Sequence, residues 1–336
     1  MKPGRNAQRE KIVRGSKRVR AAVLTPLVAL CTFSSHLQAQ TNGRIAFTSD
    51  RSGSWQIYTM NPDGADQVQV TNLAPNDGTQ SALPSISPDG RQLAFNYDAG
   101  DGFDLYVINI DGTGLRQLTT DHASLFPRWS PDGKRIAFAT ISAAGPGLIA
   151  TMPVRGNGKR KILTSDVWDS FAPIYTPDGK HIVFESSMGG LVSAVWIMNV
   201  DGSDQRRLTR PALKGAANAV SPDGKHILLI NNLNSPPALP NSNFVMNIDG
   251  SGLKQLAPLA KFHHDLSPSY SPDGKKISFI SDRFSRDITE FTYGTLDVVT
   301  MDADGSNLQD ILPAAGSCPN DGNCIDALWG ASPAAK

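Results

Sequence analysis

The residues of this chain that could do chemistry are histidines, carboxylates and one tryptophan in short segments spread along the sequence. Imidazole and carboxylate groups can bind a divalent metal or polarise a small acidic sugar, and an exposed indole could stack on a ligand. No segment holds enough of these groups to form a site alone. The candidate partner- or ligand-binding residues are Gln80, His122, Trp168, Asp169, His263, His264 and Asp265.

Two interpretations of this set stay open. In the first, the residues form a polar binding surface, with no catalytic residue and no cofactor. In the second, the chain is a metal-dependent enzyme or sensor for a small acidic sugar, with His122 and His264 as the candidate metal ligands. The sequence contains no Gly-x-Ser-x-Gly, no P-loop and no His-Glu-x-x-His motif, so the common hydrolase, nucleotide and zinc-protease signatures give no support for an enzyme.

A sequence repeat predicts the elements that must position these residues. The tetrapeptide Ser87-Pro-Asp-Gly90 recurs at intervals of 43 to 50 residues, once with Thr in place of Ser. Pro presets φ at the second turn position and Gly takes the left-handed site, so each copy predicts a tight hairpin turn whose Asp is a capping group rather than a catalytic acid. A period in the forties is typical of a β-propeller. The later copies begin at Ser130, Thr176, Ser221 and Ser271.

Each repeat predicts four strands. An apolar strand such as Lys134–Phe138 follows the first turn, and a second turn of the form Asn-x-Asp-Gly comes later, as at Asn109–Gly112. A short strand ending in Leu-Thr follows, as at Leu118-Thr119. Four antiparallel strands joined by tight hairpins make one propeller blade. The loops between blades should then bring the candidate residues to the mouth of the central channel.

The two ends of the repeat region complement each other. Gly43–Phe47 matches a strand that should follow a first turn, and Ala327–Pro333 matches the strand that should precede one. We therefore predict an all-β fold over residues 40–336: a six-bladed β-propeller whose first blade is completed by the C-terminal strand. Blade three is irregular at Met152–Gly158, and blade six has an insertion near Arg283–Gly294.

The repeat resembles the TolB-like propeller repeat family, also described as PD40 or WD40-like. The matching elements are the run from Trp or Tyr through Ser-Pro-Asp-Gly-Lys to Ile-Ala-Phe, the Ser49-Asp-Arg-Ser-Gly53 loop, and the Asn-x-Asp-Gly turn with Leu-Thr after it. The resemblance covers about residues 43 to 333. It implies a non-enzymatic, protein-binding scaffold in cell-envelope integrity or transport, with an envelope protein or lipoprotein as partner. We expect the α/β domain that precedes the propeller in TolB to be absent.

Residues 1–39 are predicted to be a secretory signal peptide. Eight Lys or Arg residues come before an apolar run from Ala21 to Phe33, and the segment ends in small residues at Ala39. Cleavage there would leave 24 basic and 30 acidic side chains. This mildly acidic balance argues against nucleic acid as a partner. We expect a periplasmic or secreted monomer without a transmembrane segment.

Two cysteines, Cys318 and Cys324, remain after the predicted cleavage. They flank the turn-forming segment Pro-Asn-Asp-Gly-Asn. In an oxidising compartment a disulfide between them is expected, where it would pin the loop that leads into the closing strand.

Overall fold

The structure is a computed structural model that describes residues 42–73, 82–141, 145–155, 159–190, 193–209, 215–231, 242–256, 264–283, 297–311 and 324–331. Over these ranges the chain forms six sheets, each of four antiparallel strands. This arrangement confirms the predicted all-β, six-bladed propeller. None of the described ranges contains a helix with the length and apolar character needed to cross a bilayer.

The blades are numbered in chain order, and blade 1 takes its innermost strand from the C-terminal end of the chain. This pairing confirms the predicted ring closure. The strands of the first three blades, from innermost to outermost, are β24 (Cys324–Ala331), β1 (Asn42–Ser49), β2 (Gln56–Met60) and β3 (Val68–Gln69); β4 (Ala82–Ile86), β5 (Gln92–Asp98), β6 (Phe103–Asn109) and β7 (Arg116–Gln117); β8 (Ser124–Trp129), β9 (Arg135–Ile141), β10 (Gly147–Pro153) and β11 (Lys161–Ile162).

The second half of the ring repeats this order. Every outermost strand is only two residues long, and such short edges offer little backbone for unwanted pairing with another chain. The strands of the last three blades are β12 (Ser170–Tyr175), β13 (His181–Ser186), β14 (Ala194–Asn199) and β15 (Arg206–Arg207); β16 (Gly215–Val220), β17 (His226–Asn231), β18 (Ser242–Asn247) and β19 (Lys254–Gln255); β20 (Asp265–Tyr270), β21 (Lys276–Ser281), β22 (Asp297–Asp302) and β23 (Gln309–Asp310).

The repeated first turn is held by its own side chains. In blade 3, Ser130 Oγ donates to Asp132 Oδ1 at 2.6 Å, and the backbone N–H of Arg135 donates to Ser130 Oγ at 2.9 Å. The hydrogen bond from Ser130 lowers the pKa of the Asp132 carboxyl below its ordinary value. The turn Asp residues are thus structural caps, as the sequence predicts.

The Leu-Thr ending of the outermost strand also has a structural explanation. In blade 3 the Thr164 hydroxyl accepts a 2.9 Å hydrogen bond from the backbone N–H of Ile149 in β10. The same bond joins Thr71 to Ile57 and Thr209 to Val195. A threonine at this position therefore satisfies a buried strand donor where the two-residue outer strand has already ended.

The apolar core lies between neighbouring blades rather than inside single sheets. Five blades place a fully buried phenylalanine in the second strand. The interface that closes the ring packs blade 6 against blade 1 and includes Val298, Ile311 and Trp329. There Gly64, at φ +84, lies so close to Ile311 that a Cβ would come within 1.8 Å of its carbonyl oxygen. The buried phenylalanines are Phe47, Phe95, Phe138, Phe184 and Phe279.

Candidate functional site

The antiparallel strands give the propeller two different faces. The turn face carries both kinds of tight turn, which join the first strand to the second and the third to the fourth. The loop face lies at the opposite ends of the strands and carries the loops between second and third strands and the loops between blades. The described candidates belong to the loop face, because they precede or begin the innermost strands. They are His122, Trp168, Asp169, His264 and Asp265.

Some of the candidates lie outside the described residues. These are Gln80 and His263, together with Cys318 of the predicted disulfide. The strand β24 begins at Cys324, but its side chain is also outside the description. The proposed roles of these four residues, including the disulfide, remain predictions.

His122 lies on the loop face between blades 2 and 3. Its Nδ1 atom is 3.0 Å from Asp104 Oδ2 and 3.7 Å from Asp101 Oδ1, while its backbone N–H donates to Asp104 Oδ1 at 3.1 Å. Asp104 is almost fully buried and also accepts a hydrogen bond from the Thr119 hydroxyl at 2.9 Å. The imidazole is half-exposed and is therefore anchored on one side and open to solvent on the other.

Trp168 and Asp169 form the loop before blade 4. Asp169 Oδ1 accepts a 3.0 Å hydrogen bond from the backbone N–H of Gly147 in blade 3, so this carboxylate links two blades. Trp168 remains 38% exposed, and its neighbour Val167 is 67% exposed. Large apolar side chains that remain in water at a loop are suited to contact a partner.

The blade 6 candidates are held by ionic and backbone contacts. Arg283 Nε and Nη2 donate to the two carboxylate oxygens of Asp265 at 2.8 and 2.6 Å, and both side chains are at most 9% exposed. The backbone N–H of His264 donates to Asp282 Oδ1 at 2.7 Å. Asp265 thus forms a buried, bidentate ion pair, and loss of either partner would leave a buried charge uncompensated.

His122 and His264 are on blades 3 and 6, which are opposite each other in the ring. Within the described ranges, no group of three or more His, Cys, Asp or Glu side chains is arranged to hold a metal ion. The structure therefore does not bring the two candidate metal ligands into one such group.

A cavity of about 430 Å³ lies at the turn end of the central channel. All six innermost strands line it, and the prolines of the five repeated turns form its rim. The wall contains one residue from each blade at equivalent positions, two residues before the Ser or Thr of the turn where that turn exists. These six residues are Ser85, Arg128, Ile174, Ala219, Ser269 and Leu328.

Comparison with known proteins agrees with this architecture. A profile of the TolB beta propeller domain, PD40, matches residues 122–243. The Tol-Pal system protein TolB of Francisella tularensis is 30% identical over 262 residues, which are 77% of this chain and 46% of that protein. These matches show that the propeller is TolB-like.

Other TolB-like proteins match over different shares of their length. A Protein TolB homolog of Chlorobaculum tepidum is 31% identical over 121 residues, covering 35% of this chain and 26% of the relative. The crystal structure of TolB from Acinetobacter baumannii superposes with a TM-score of 0.68 at 22% identity, over 86% of this chain and 66% of that chain. This chain thus spans only about a quarter to a half of the two curated relatives named above.

Sequence reasoning missed the cavity on the turn face of the TolB-like propeller. It assigned function to the loops because the blades are the rigid scaffold, and it interpreted the repeated turns as structural. A usable signal was present in the repeat itself: Arg128 is charged where the other blades have small or apolar residues, and Asn218 stands where four other blades have proline. Comparing the copies position by position would have found both residues.

Proposed function

We propose that this protein is a non-enzymatic scaffold of the periplasm or extracellular space that binds an envelope protein through its loop face. The observation that carries the proposal is a TolB-like propeller whose loop face presents exposed Val167 and Trp168 beside side chains already held by the fold. A rigid ring of blades with an exposed aromatic loop suits binding, because the scaffold is ordered before the partner arrives.

The neighbouring polar candidates support recognition rather than catalysis. Asp169 and Asp265 already accept hydrogen bonds from Gly147 and Arg283, so their carboxylates are engaged in the fold. The name of the Francisella tularensis relative places that protein in a Tol-Pal system, and this supports an envelope partner for the present chain. The predicted signal peptide supports export.

Capture from cells tests the proposal. The full-length chain, tagged at its C-terminus and expressed in a Gram-negative host, would be cross-linked in the intact envelope, purified and examined by mass spectrometry. We expect one envelope protein to be enriched, and Trp168→Ala to reduce its recovery at least about tenfold, as expected for loss of an aromatic contact residue. The enriched protein should capture the chain in return.

Leu115→Ala is the matched control, because Leu115 is a similarly exposed apolar residue at 48% exposure that precedes the outer strand of blade 2. Equal loss of recovery in both variants would contradict a loop-face site. Recovery should also be unchanged by a chelator, and a chelator-sensitive complex with a stoichiometric metal would favour the metal-dependent alternative. The mass of the exported chain should show loss of residues 1–39; an uncleaved chain in the cytoplasm would contradict the export proposal.

A further inference from the structure

Exposed apolar side chains gather at the loop-face end of blade 3. Ile141 is 43% exposed, Val167 67% and Trp168 38%. The other large apolar side chains that are exposed in the described ranges are spread one to a blade, in or directly before an outermost strand or in a turn: Val68, Leu115, Ile162, Val200 and Leu253. Exposed apolar surface is therefore concentrated at one place on the loop face.

Backbone contacts bring these three side chains together. Ile141 ends strand β9 and pairs with Gly147, the first residue of β10. The N–H of Gly147 donates to Asp169 Oδ1 at 3.0 Å, so the loop that carries Val167 and Trp168 is tied to the strand end beside Ile141. We call Ile141, Val167 and Trp168 the apolar patch.

The apolar patch rests on a packed base. The ring of Phe171 lies over Gly147, where a Cβ would come within 2.3 Å of it. The same ring packs edge-on against Phe126, with 6.3 Å between the ring centroids. Because this base is ordered before a partner arrives, little further ordering is needed on binding.

Negative charge borders the apolar patch. Asp166 and Asp169 flank the Val-Trp pair in the chain, and both are exposed. Asp121 approaches the same end of blade 3 from the blade 2 side, where it accepts a 2.8 Å hydrogen bond from Ser124 Oγ at the start of β8. The two loops that enter blades 3 and 4, residues 118–123 and 163–169, contain these three Asp residues and no Lys or Arg.

The cation closest to these loops is already used. Arg160 pairs with Asp121, on the side of blade 3 away from Asp166 and Asp169. The predicted mature chain also has more acidic than basic side chains, 30 to 24. A partner that approaches the apolar patch therefore meets a negative field.

An apolar surface bordered by carboxylates selects one kind of partner. Apolar groups fill the centre of a protein interface, and charges at its rim select the charge of the partner and raise the association rate. Lys and Arg suit this surface, because their stems pack on apolar groups while their charged heads reach the carboxylates. An acidic protein or an anionic lipid surface would be repelled by the same charges.

We propose that the apolar patch binds a segment of an envelope protein in which aliphatic side chains stand next to Lys or Arg. The aliphatic groups contact Ile141, Val167 and Trp168, and the cations lie at the carboxylates of Asp166 and Asp169. This inference rests on the protein-binding function proposed above and adds the chemistry of the partner.

Defined peptides test this chemistry on the purified protein, as exported. The probe is fluorescently labelled acetyl-Lys-Leu-Lys-Leu-Lys-amide, and its binding is followed by fluorescence anisotropy at low salt. In one control peptide Glu replaces Lys, and in a second Ser replaces Leu. We expect the Lys-Leu peptide to bind at least about fivefold more tightly than either control, and to lose affinity as salt is raised, because salt screens exposed charges.

Charge-only variants assign the binding to the loop face. The double variant Asp166→Asn, Asp169→Asn should weaken binding of the Lys-Leu peptide at least about fivefold and reduce its salt dependence. An amide oxygen at position 169 can still accept from Gly147, so the loop stays tied. The matched control is Asp111→Asn, Asp201→Asn, because these exposed turn-face residues also accept a backbone N–H, at 3.0 and 2.9 Å. It should leave binding unchanged.

Apolar variants test the centre of the surface. Trp168→Ala and Ile141→Ala should each weaken binding of the Lys-Leu peptide severalfold, since each removes exposed apolar area from the apolar patch. Leu115→Ala is the control, because Leu115 is similarly exposed on blade 2. It should have no effect.

Several results would overturn the proposal. They are no binding of the Lys-Leu peptide, equal or tighter binding of either control peptide, and equal effects of the two double Asp variants. If the variant at positions 166 and 169 does not fold, Asp166→Asn against Asp111→Asn carries the same comparison.

This inference and the scaffold proposal can fail separately. If Trp168→Ala abolishes capture of an envelope protein but the Lys-Leu peptide does not bind, the scaffold proposal stands and the assigned partner chemistry is wrong. If the peptide binds as expected but no envelope protein is captured, the surface chemistry is right and its assignment to an envelope protein is overturned.

Discussion

The turn face and the loop face are built from opposite ends of the same strands, but they use their polar groups differently. On the turn face one set of contacts recurs: the Ser or Thr hydroxyl donates to the turn Asp at 2.6 Å in blades 2 to 5 and 2.7 Å in blade 6. The turns also touch around the channel, as where a Cβ on Gly133 would lie 3.9 Å from Pro88. Repetition marks what the fold itself requires.

On the loop face, by contrast, blades 2, 3 and 6 hold their loops through acidic residues that differ in position and in partner. Blade 2 uses the buried Asp104, which accepts from Thr119 and from the backbone of His122. Blade 3 receives Asp169 from its neighbour, and blade 6 has the Asp265–Arg283 pair. Variation between copies therefore does not by itself indicate function, because a unique charged residue can still be a structural contact.

Breaking the Asp265–Arg283 pair should cause the largest loss of stability. It tests whether this unique pair on the loop face is a structural contact. Asp265→Asn leaves the guanidinium of Arg283 buried without its countercharge, and we expect a loss of about 3–5 kcal/mol in the free energy of unfolding. Urea denaturation measures this loss of unfolding free energy. Adding Arg283→Met should recover part of the loss, because no uncompensated charge then remains.

The matched control for this substitution is on the turn face. Asp66 pairs with Arg44 at 2.6 Å, but the Asp66 side chain is 59% exposed. Asp66→Asn should therefore cost less than about 1 kcal/mol. If the two Asp→Asn variants lose the same stability, burial does not distinguish the pairs and Asp265 returns to the set of candidate binding residues.

Two glycines with similar backbone angles lie in different surroundings, one at the ring closure on the turn face and one in an open loop. Substituting each by alanine compares the stability that the two sites lose. Gly64 has φ +84 and touches the Ile311 carbonyl of blade 6, whereas Gly53 on the loop face has φ +91, and a Cβ added to it would meet no atom within 4 Å. Gly53→Ala should cost about 1 kcal/mol for the left-handed backbone alone. Gly64→Ala should cost about 1–3 kcal/mol more, because the methyl group forces the closing interface apart.

Thermal or urea unfolding of the two variants measures the difference directly. Limited proteolysis adds a structural readout, because Gly64→Ala should expose the contact between blades 1 and 6 before the rest of the ring. Equal stability of Gly64→Ala and Gly53→Ala would show that the close approach to Ile311 is not present in solution.

The fold could be predicted from the sequence because each blade repeats the same local chemistry. Pro and Gly in the turn Ser87–Gly90 fix the hairpin wherever the pattern occurs. Because the turn occurs five times, misassigning one copy would not change the predicted fold. The closing strand β24 was also predictable, since Trp329 matches the aromatic position of Trp129, and each is 8% exposed.

The candidate site was less predictable because side chains that contact each other there are far apart in sequence. Nothing near Asp169 indicates that it accepts from Gly147, which is 22 residues away, and Asp265 finds its arginine 18 residues later. The cavity was missed for a different reason: its wall combines one residue from each of six distant strands, so only an alignment of the repeats with one another reveals Arg128 as an exception.

Substituting Asp297 on the loop face should change stability least. It compares two equivalent positions in different blades. Asp297 is equivalent to Asp104 of blade 2 by its pairing with the second strand. In blade 2 the neighbouring outer strand supplies Gln117, whose Nε2 donates to Asp104 at 3.2 Å. In blade 6 the same position is Asp310. Burial, with the negative charge of Asp310, raises the pKa of Asp297 to about 7.

This shift has a definite sign for stability. An aspartate in the unfolded chain releases its proton near pH 4, about its reference pKa, whereas native Asp297 keeps it until about pH 7. Between these values the native state binds more protons, so its stability falls as pH rises. Between pH 5 and pH 8 the free energy of unfolding should therefore fall by at least about 1 kcal/mol, the value of a one-unit pKa shift. Asp297→Asn should abolish this fall, because the amide does not titrate.

Asp310→Gln is the matched variant, because it rebuilds the blade 2 arrangement in blade 6. It should lower the pKa of Asp297 and flatten the same pH dependence while leaving the Asp297 carboxyl in place. Carbon-13 NMR of the Asp297 carboxyl follows the titration directly. A midpoint near pH 4 in the unsubstituted protein would contradict the prediction, because it would mean that neither burial nor the charge of Asp310 keeps the proton on Asp297.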